Sequence, residues 1–190
     1  MAISTITYDT LVRAGISCVS AYVTSSLPAA RDSNVSPKML VCKGSRGIRI
    51  LPDASFPQTK CSSGEKYDIL VIPGGAQGAA TISKSEAVQD LVREFIKEDK
   101  IVGMICAGSL TALTSKLPHQ PLTSHPSVKS ELEKHFAYSE DAVVVSGKLV
   151  TSRGPGTTFP FALTLISMLL GPEKRKEVAG PMCFPEGTPW

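Results

Sequence analysis

Ile101-Val102-Gly103-Met104-Ile105-Cys106-Ala107-Gly108-Ser109-Leu110-Thr111-Ala112-Leu113 decides how this chain is read. Its first five residues form an apolar run too short for a helix and suited to a buried strand. Cys106 follows, and the small residues Ala107, Gly108 and Ser109 make a turn. Leu110, Leu113 and Leu117 then recur at helical spacing. A cysteine at such a strand-to-helix turn faces the unpaired N–H groups and positive dipole end of the helix, which favour thiolate over thiol. Thiolate is the nucleophile, and Ala107 and Gly108 leave its approach open. The pattern is the cysteine form of a nucleophile elbow. The same stretch also reads as a buried core cysteine, and the rest of the chain has to separate the two.

Outward from that stretch, strands and helices alternate. Tyr67-Asp68-Ile69-Leu70-Val71-Ile72-Pro73-Gly74-Gly75 is a β-branched run ending in Pro-Gly-Gly, as in a parallel strand buried on both faces. Residues 85–97 are amphipathic, with Ser83 or Ser85 as the cap. Beyond the cysteine come a short strand at 121–123, a helix over 128–135 and a hairpin over 142–151 turning at Ser146-Gly147. A Gly/Pro-rich turn at 152–157 leads into an apolar helix over 158–170, with another turn or two of helix at 174–179. On the amino-terminal side, 5–14 reads as a helix stopped by Gly15, 16–23 as a strand and 47–51 as a short strand. Residues 24–45 form a long Ser/Pro-rich loop, and 180–190 an irregular tail. The expected fold class is α/β, a doubly wound, mostly parallel sheet flanked by helices in one domain over 1–190. In such folds function gathers at the carboxyl ends of the strands. Gly74-Gly75 and Cys106 are therefore expected on one edge.

Composition excludes several classes. The 190 residues carry 20 basic and 17 acidic side chains, a net charge of +3. That balance gives no footprint for nucleic acid or a membrane surface. Lys174-Arg175-Lys176 is flanked by Glu173 and Glu177 and reads as a solvated helix face. No apolar stretch reaches membrane-spanning length, and the first residues lack a signal-peptide pattern. The five cysteines (Cys18, Cys42, Cys61, Cys106, Cys183) form no C-x-x-C pair and no zinc spacing. Free thiols in a reducing compartment are expected, cytoplasmic by default and also nuclear. Cys18 reads as core, Cys42 and Cys61 as loop residues, and Cys183 as tail.

Three pieces combine around the cysteine. Cys106 supplies a thiolate. Gly74 and Gly75 supply backbone N–H groups with no side chain in the way, a candidate oxyanion hole. His125, between Ser124 and Pro126, can act as a base or orient the thiolate. Separately, a Gly-Gly is an ordinary turn and a His before Pro an ordinary structural residue.

Together with Met104-Ile105-Cys106-Ala107-Gly108, Ser124-His125-Pro126 and Thr151-Ser152-Arg153-Gly154-Pro155-Gly156-Thr157, these motifs resemble the DJ-1/ThiJ/PfpI superfamily, over roughly residues 5–170 with an interruption at 24–45. The resemblance implies a flavodoxin-like fold, a homodimer and a glutathione-independent glyoxalase (D-lactate dehydratase) acting on methylglyoxal without metal or cofactor. It also implies protection against oxidative stress through oxidation of the cysteine. By position it makes Cys106 the nucleophile and His125 its neighbour. Gly75 and Ala107 become N–H donors to the substrate oxygen. Arg46, from the partner subunit, and Arg153 line the mouth of the site.

The sequence departs from that family at its start. The family has a central strand followed by a glutamate that bonds the cysteine; Ile3 stands at the glutamate's position, with nothing before it to form the strand. Further residues upstream in the physiological protein are expected on that ground. The alternative function is a redox sensor or chaperone-like stress protein in which Cys106 is oxidised without turnover. A cysteine peptidase or amidotransferase shares the elbow but needs an open cleft and a better-placed histidine.

Overall fold

A computed structural model describes residues 1–23, 41–56 and 67–188. Its centre is a four-stranded sheet in the order β5 (Ile69–Ile72), β6 (Ile101–Ile105), β10 (Leu149–Ser152), β9 (Val143–Ser146). The first three strands are parallel and β9 is antiparallel. β6 is buried along its whole length, which is why its sequence is a continuous apolar run.

Strand alternation sorts the core into two layers. Val102 and Met104 of β6, Leu70 and Ile72 of β5 and Leu149 of β10 face one side. There they meet α3 (Glu86–Lys97) through Val88, Val92 and Phe95, which recur at helical spacing. Ile101 and Ile105 face the other side, against α6 (Thr158–Leu170) and α1 (Ala2–Arg13). Gly103 lies on that second face. A Cβ there would stand 2.8 Å from Phe161 Cζ, so the glycine lets α6 sit close to the sheet. Ser85 caps α3, its hydroxyl accepting from the Val88 amide at 3.4 Å.

β1 (Ala21–Val23) pairs in parallel with β4 (Ala54–Phe56), apart from the four-stranded sheet. Among the described residues no strand pairs with the outer edge of β5 or the second edge of β1. Ser20 and Asp53 tie the entries of β1 and β4 together. The Ser20 amide and hydroxyl donate to Asp53 Oδ2 at 2.8 and 2.7 Å. The Ser20 amide first, then its hydroxyl, hold the Asp53 carboxyl below the usual carboxylate range. A depressed folded value means stabilisation that is present above the ordinary carboxylate pKa of about 4 and lost as pH falls through the lower folded value. Asp53→Asn is therefore expected to show a smaller drop in urea midpoint between pH 6 and pH 3 than the parent chain. An equal drop in both would overturn the role of this pair.

The remaining elements refine the sequence reading. α1 begins at Ala2 rather than residue 5, because buried Ile3 extends its apolar face by a turn. The expected strand over 16–23 contracts to the three residues that find partners in β4. Within the expected 24–45 loop, Cys42–Lys43 forms β2, an antiparallel hairpin with β3 (Arg49–Ile50). Residues 24–40, 57–66 and 189–190 lie outside the described ones, and with them Cys61 and the 24–40 part of that loop. An unexpected helix, α2 (Ala76–Lys84), buries only Ala79 and Ser83, a small-residue face with no apolar periodicity to announce it. After α4 (Leu110–Thr114), β7 (Pro121–Leu122) pairs in parallel with β8 (Ala137–Tyr138), across a 3-10 turn (Pro126–Val128) and α5 (Lys129–Leu132). The hairpin loop is Gly147-Lys148, one residue later than expected, with Gly147 at φ +56°. α7 (Pro172–Ala179) follows Gly171.

Candidate active site

Cys106 leaves β6 at φ +64°, in the left-handed region that non-glycine residues avoid, and opens the 3-10 turn Cys106–Ser109 ahead of α4. The elbow is thus a real, strained turn. Strain of this kind costs about 1–3 kcal/mol and persists where surrounding structure enforces it. Two glycine contacts enforce it here. A Cβ on Gly74 would stand 2.4 Å from Cys106 Cβ and 2.9 Å from its Sγ. A Cβ on Gly108 would stand 2.6 Å from the Ile72 carbonyl oxygen and 2.7 Å from that of Pro73. The end of β5 and the cysteine turn are therefore pressed together, and only glycines fit between them. Cys106 is half-buried.

Gly75 stands beside this contact at φ +111°, as the N-cap of α2. Its amide has no acceptor among the described residues. Ala107, buried in the 3-10 turn, belongs to the first residues of that turn, whose N–H groups have no intrahelical acceptor. Both expected donors thus flank the sulfur's turn.

His125 is brought to the same place from β7. Its amide donates to the Cys106 carbonyl at 3.4 Å. Beneath it, the Ser109 hydroxyl donates to the Thr123 carbonyl at 3.0 Å, and the Thr123 amide to Thr151 Oγ1 at 2.9 Å. These bonds lock the segment carrying His125 to the cysteine turn and to β10. The imidazole lies against Gly154, where a Cβ would be 3.8 Å from its Cδ2. Its Nδ1 is 2.8 Å from Ser127 Oγ and accepts from the Ser127 amide at 3.2 Å.

Arg153 is already engaged. Its Nη1 donates to the Glu140 carbonyl at 2.8 Å and its Nη2 pairs with the Glu140 carboxylate. Lys129 Nζ reaches the other carboxylate oxygen at 2.6 Å. Glu140 thereby joins the 152–157 turn to the start of α5. The Lys129 bond first, with Arg153's charge adding, holds its carboxyl below the usual range. Glu140 and Ser127 were not legible as site residues; a His-Pro-Ser entry to a helical turn was the one available signal for Ser127. Arg46 sits exposed in the hairpin between β2 and β3 and pairs with no described residue.

Two of the other described cysteines are disfavoured as thiolates. Burial pushes the Cys18 thiol up, with the charge of Asp53 adding, and burial pushes the Cys42 thiol up. Cys42 lies in β2 rather than in a loop. No group of three His, Cys, Asp or Glu among the described residues is placed to hold a metal ion. No described helix is long and apolar enough to cross a membrane.

A family model described as DJ-1/PfpI matches residues 4–168. The chain belongs to the DJ-1/PfpI family. Among its relatives is the glutathione-independent glyoxalase DJ-1 of Schizosaccharomyces pombe, 40% identical over 147 residues, spanning 75% of this chain and 77% of that protein. The glutathione-independent glyoxalase DJR-1.2 of Caenorhabditis elegans is 32% identical over 180 residues, 94% of this chain and 87% of that one. The solved structure of S. pombe DJ-1 superposes with a TM-score of 0.84 at 34% identity, covering 97% of this chain and 93% of its own. The DJ-1/PfpI fold, flavodoxin-like and α/β, is the one expected from the motifs.

Proposed function

We propose that this DJ-1/PfpI chain is a cysteine-dependent glyoxalase that converts methylglyoxal to D-lactate without glutathione, metal or cofactor. What supports it most is the Cys106 turn, a half-buried thiol held in a left-handed conformation against glycines. Relatives named as glutathione-independent glyoxalases support the substrate class. In the reaction, Cys106 sulfur adds to the aldehyde carbon and the carbonyl oxygen takes a proton, giving a hemithioacetal. The Gly75 and Ala107 amides stabilise the developing oxyanion. The aldehyde-derived carbon loses its proton to form an enediol, and the neighbouring carbon gains one. The resulting lactoyl thioester is cleaved by water to D-lactate and free thiol. His125, whose backbone amide is bonded to the Cys106 carbonyl, serves the enediol oxygens in this reading.

A homodimer fits the surface. Tyr8 and Val12 of α1 and Ile48 and Leu51 beside the hairpin are exposed apolar side chains. Met1 packs on Gly44, which brings the two elements together. In such a dimer Arg46 would be the residue supplied by the partner subunit, as the resemblance implies.

The test is D-lactate formation by the purified full chain from methylglyoxal in glutathione-free buffer. Product equal to the methylglyoxal consumed is expected; a folded chain that consumes none overturns the enzyme reading. One observation favours the second reading, a stress-protective redox sensor. Ile3, buried in α1, is apolar where the family carries its glutamate. Under that reading Cys106 gains oxygen under peroxide in a chain that shows no turnover.

A further inference from the structure

We infer that Ser127 is a positioning residue that fixes His125 as its Nε2–H tautomer, making this histidine a hydrogen-bond donor rather than a base at the Cys106 site. The local sequence dictates the arrangement. His125 is the N-cap of the 3-10 turn Pro126–Val128. Pro126 occupies the first position and has no N–H, so the Ser127 amide is the first that needs an acceptor. The imidazole supplies it, as an Asp, Asn or Ser oxygen supplies it at other N-caps.

A backbone N–H only donates, so its 3.2 Å bond to Nδ1 requires a lone pair there. Given that lone pair, the Ser127 hydroxyl at 2.8 Å donates as well. A neutral imidazole carries one proton, and the amide contact places it on Nε2, a tautomer that the hydroxyl supports by donating to the same Nδ1. That nitrogen neighbours Cδ2, the ring edge packed toward Gly154. With Nδ1 occupied and Nε2 protonated, neutral His125 offers no free lone pair with which to take a proton from carbon. It offers an N–H that stabilises negative charge on an enediolate oxygen, and the carbon-bound proton leaves to water. The backbone amide alone would leave one bond to Nδ1. The serine hydroxyl brings a second donor to the same lone pair.

The catalytic consequence rests on the proposed glyoxalase reading, whereas the tautomer does not, and the experiment separates them. Histidine-labelled full chain is followed by long-range proton–nitrogen NMR at about pH 8, where a free imidazole is neutral. Only His119, His125 and His135 contribute, and His125→Gln identifies the signal. A pyridine-type Nδ1 and pyrrole-type Nε2 are expected for His125. Ser127→Ala is expected to displace the Nδ1 signal and spread the proton over both nitrogens. Its kcat on methylglyoxal should fall by about threefold to tenfold at unchanged KM, the size of one lost hydrogen bond, with Ser127→Thr restoring both. A proton on Nδ1 in the parent chain, or ring signals unmoved by Ser127→Ala, overturns the inference. An inactive chain with the Nε2–H form refutes the glyoxalase reading and upholds the tautomer.

Discussion

Cys106→Ala is expected to lower methylglyoxal consumption by at least about 10³-fold, since it removes the nucleophile of the proposed reaction. The other described thiols are raised by burial, as at Cys18 and Cys42, or lie in the tail, as at Cys183. Stability should behave differently from activity. Alanine keeps the Cβ that makes φ +64° unfavourable, so Cys106→Ala retains the strain and loses the packing of the sulfur. Cys106→Gly removes the Cβ and, with it, a strain worth about 1 kcal/mol. Both variants should therefore be inactive, with the glycine form the more stable of the two by urea unfolding. Such an outcome would show the turn to be held for the nucleophile at a cost to the fold. Residual activity in Cys106→Ala would sink the nucleophile assignment. A glycine variant no more stable than the alanine one would sink the strain argument.

Much of this site was legible because its chemistry is written in short, local patterns. The buried run ending at Cys106, and the run from Tyr67 ending in Gly74-Gly75, read as parallel strands because burial on both faces demands continuous apolar sequence. Their shared edge followed from topology, and Gly74 does lie against the sulfur. α2 was illegible because Ala79 and Ser83 bury a face too small to produce an apolar period. The contraction of the first strand could not be read either, since strand length depends on a partner distant in sequence. The resemblance places Arg153 at the mouth of the site, but that its guanidinium is held by Glu140, thirteen residues earlier, was not legible. Such an ion pair leaves no periodic signal. The tautomer of His125 lies between these cases: His-Pro-Ser is visible in sequence, but the acceptor role of the ring follows only once the helical turn is known.

Gly74→Ala should be the most damaging substitution outside the cysteine itself. The added carbon would stand 2.4 Å from Cys106 Cβ, 2.9 Å from Sγ and 3.0 Å from the Ile105 carbonyl oxygen. Something must therefore move, and the surroundings decide what. Pro73 fixes the backbone on one side of Gly74. Gly108 already sits so close to the Ile72 and Pro73 carbonyls that the end of β5 cannot retreat toward the helix. The displacement is left to the cysteine. A nucleophile moved by about 1 Å loses on the order of 10²-fold in rate, and an overpacked contact of this kind costs about 1–3 kcal/mol. Gly78→Ala is the matched control. Gly78 lies within α2, a Cβ there meets nothing within 4 Å, and its φ is not positive. That change should stabilise the chain by about 0.5–1 kcal/mol and leave kcat/KM alone. Loss of activity in both variants would mean that α2 as a whole, rather than the Gly74 contact, sets the position of the sulfur. Loss confined to Gly74→Ala, with slowed alkylation of Cys106, would show that an absent side chain shapes the reactive end of this fold.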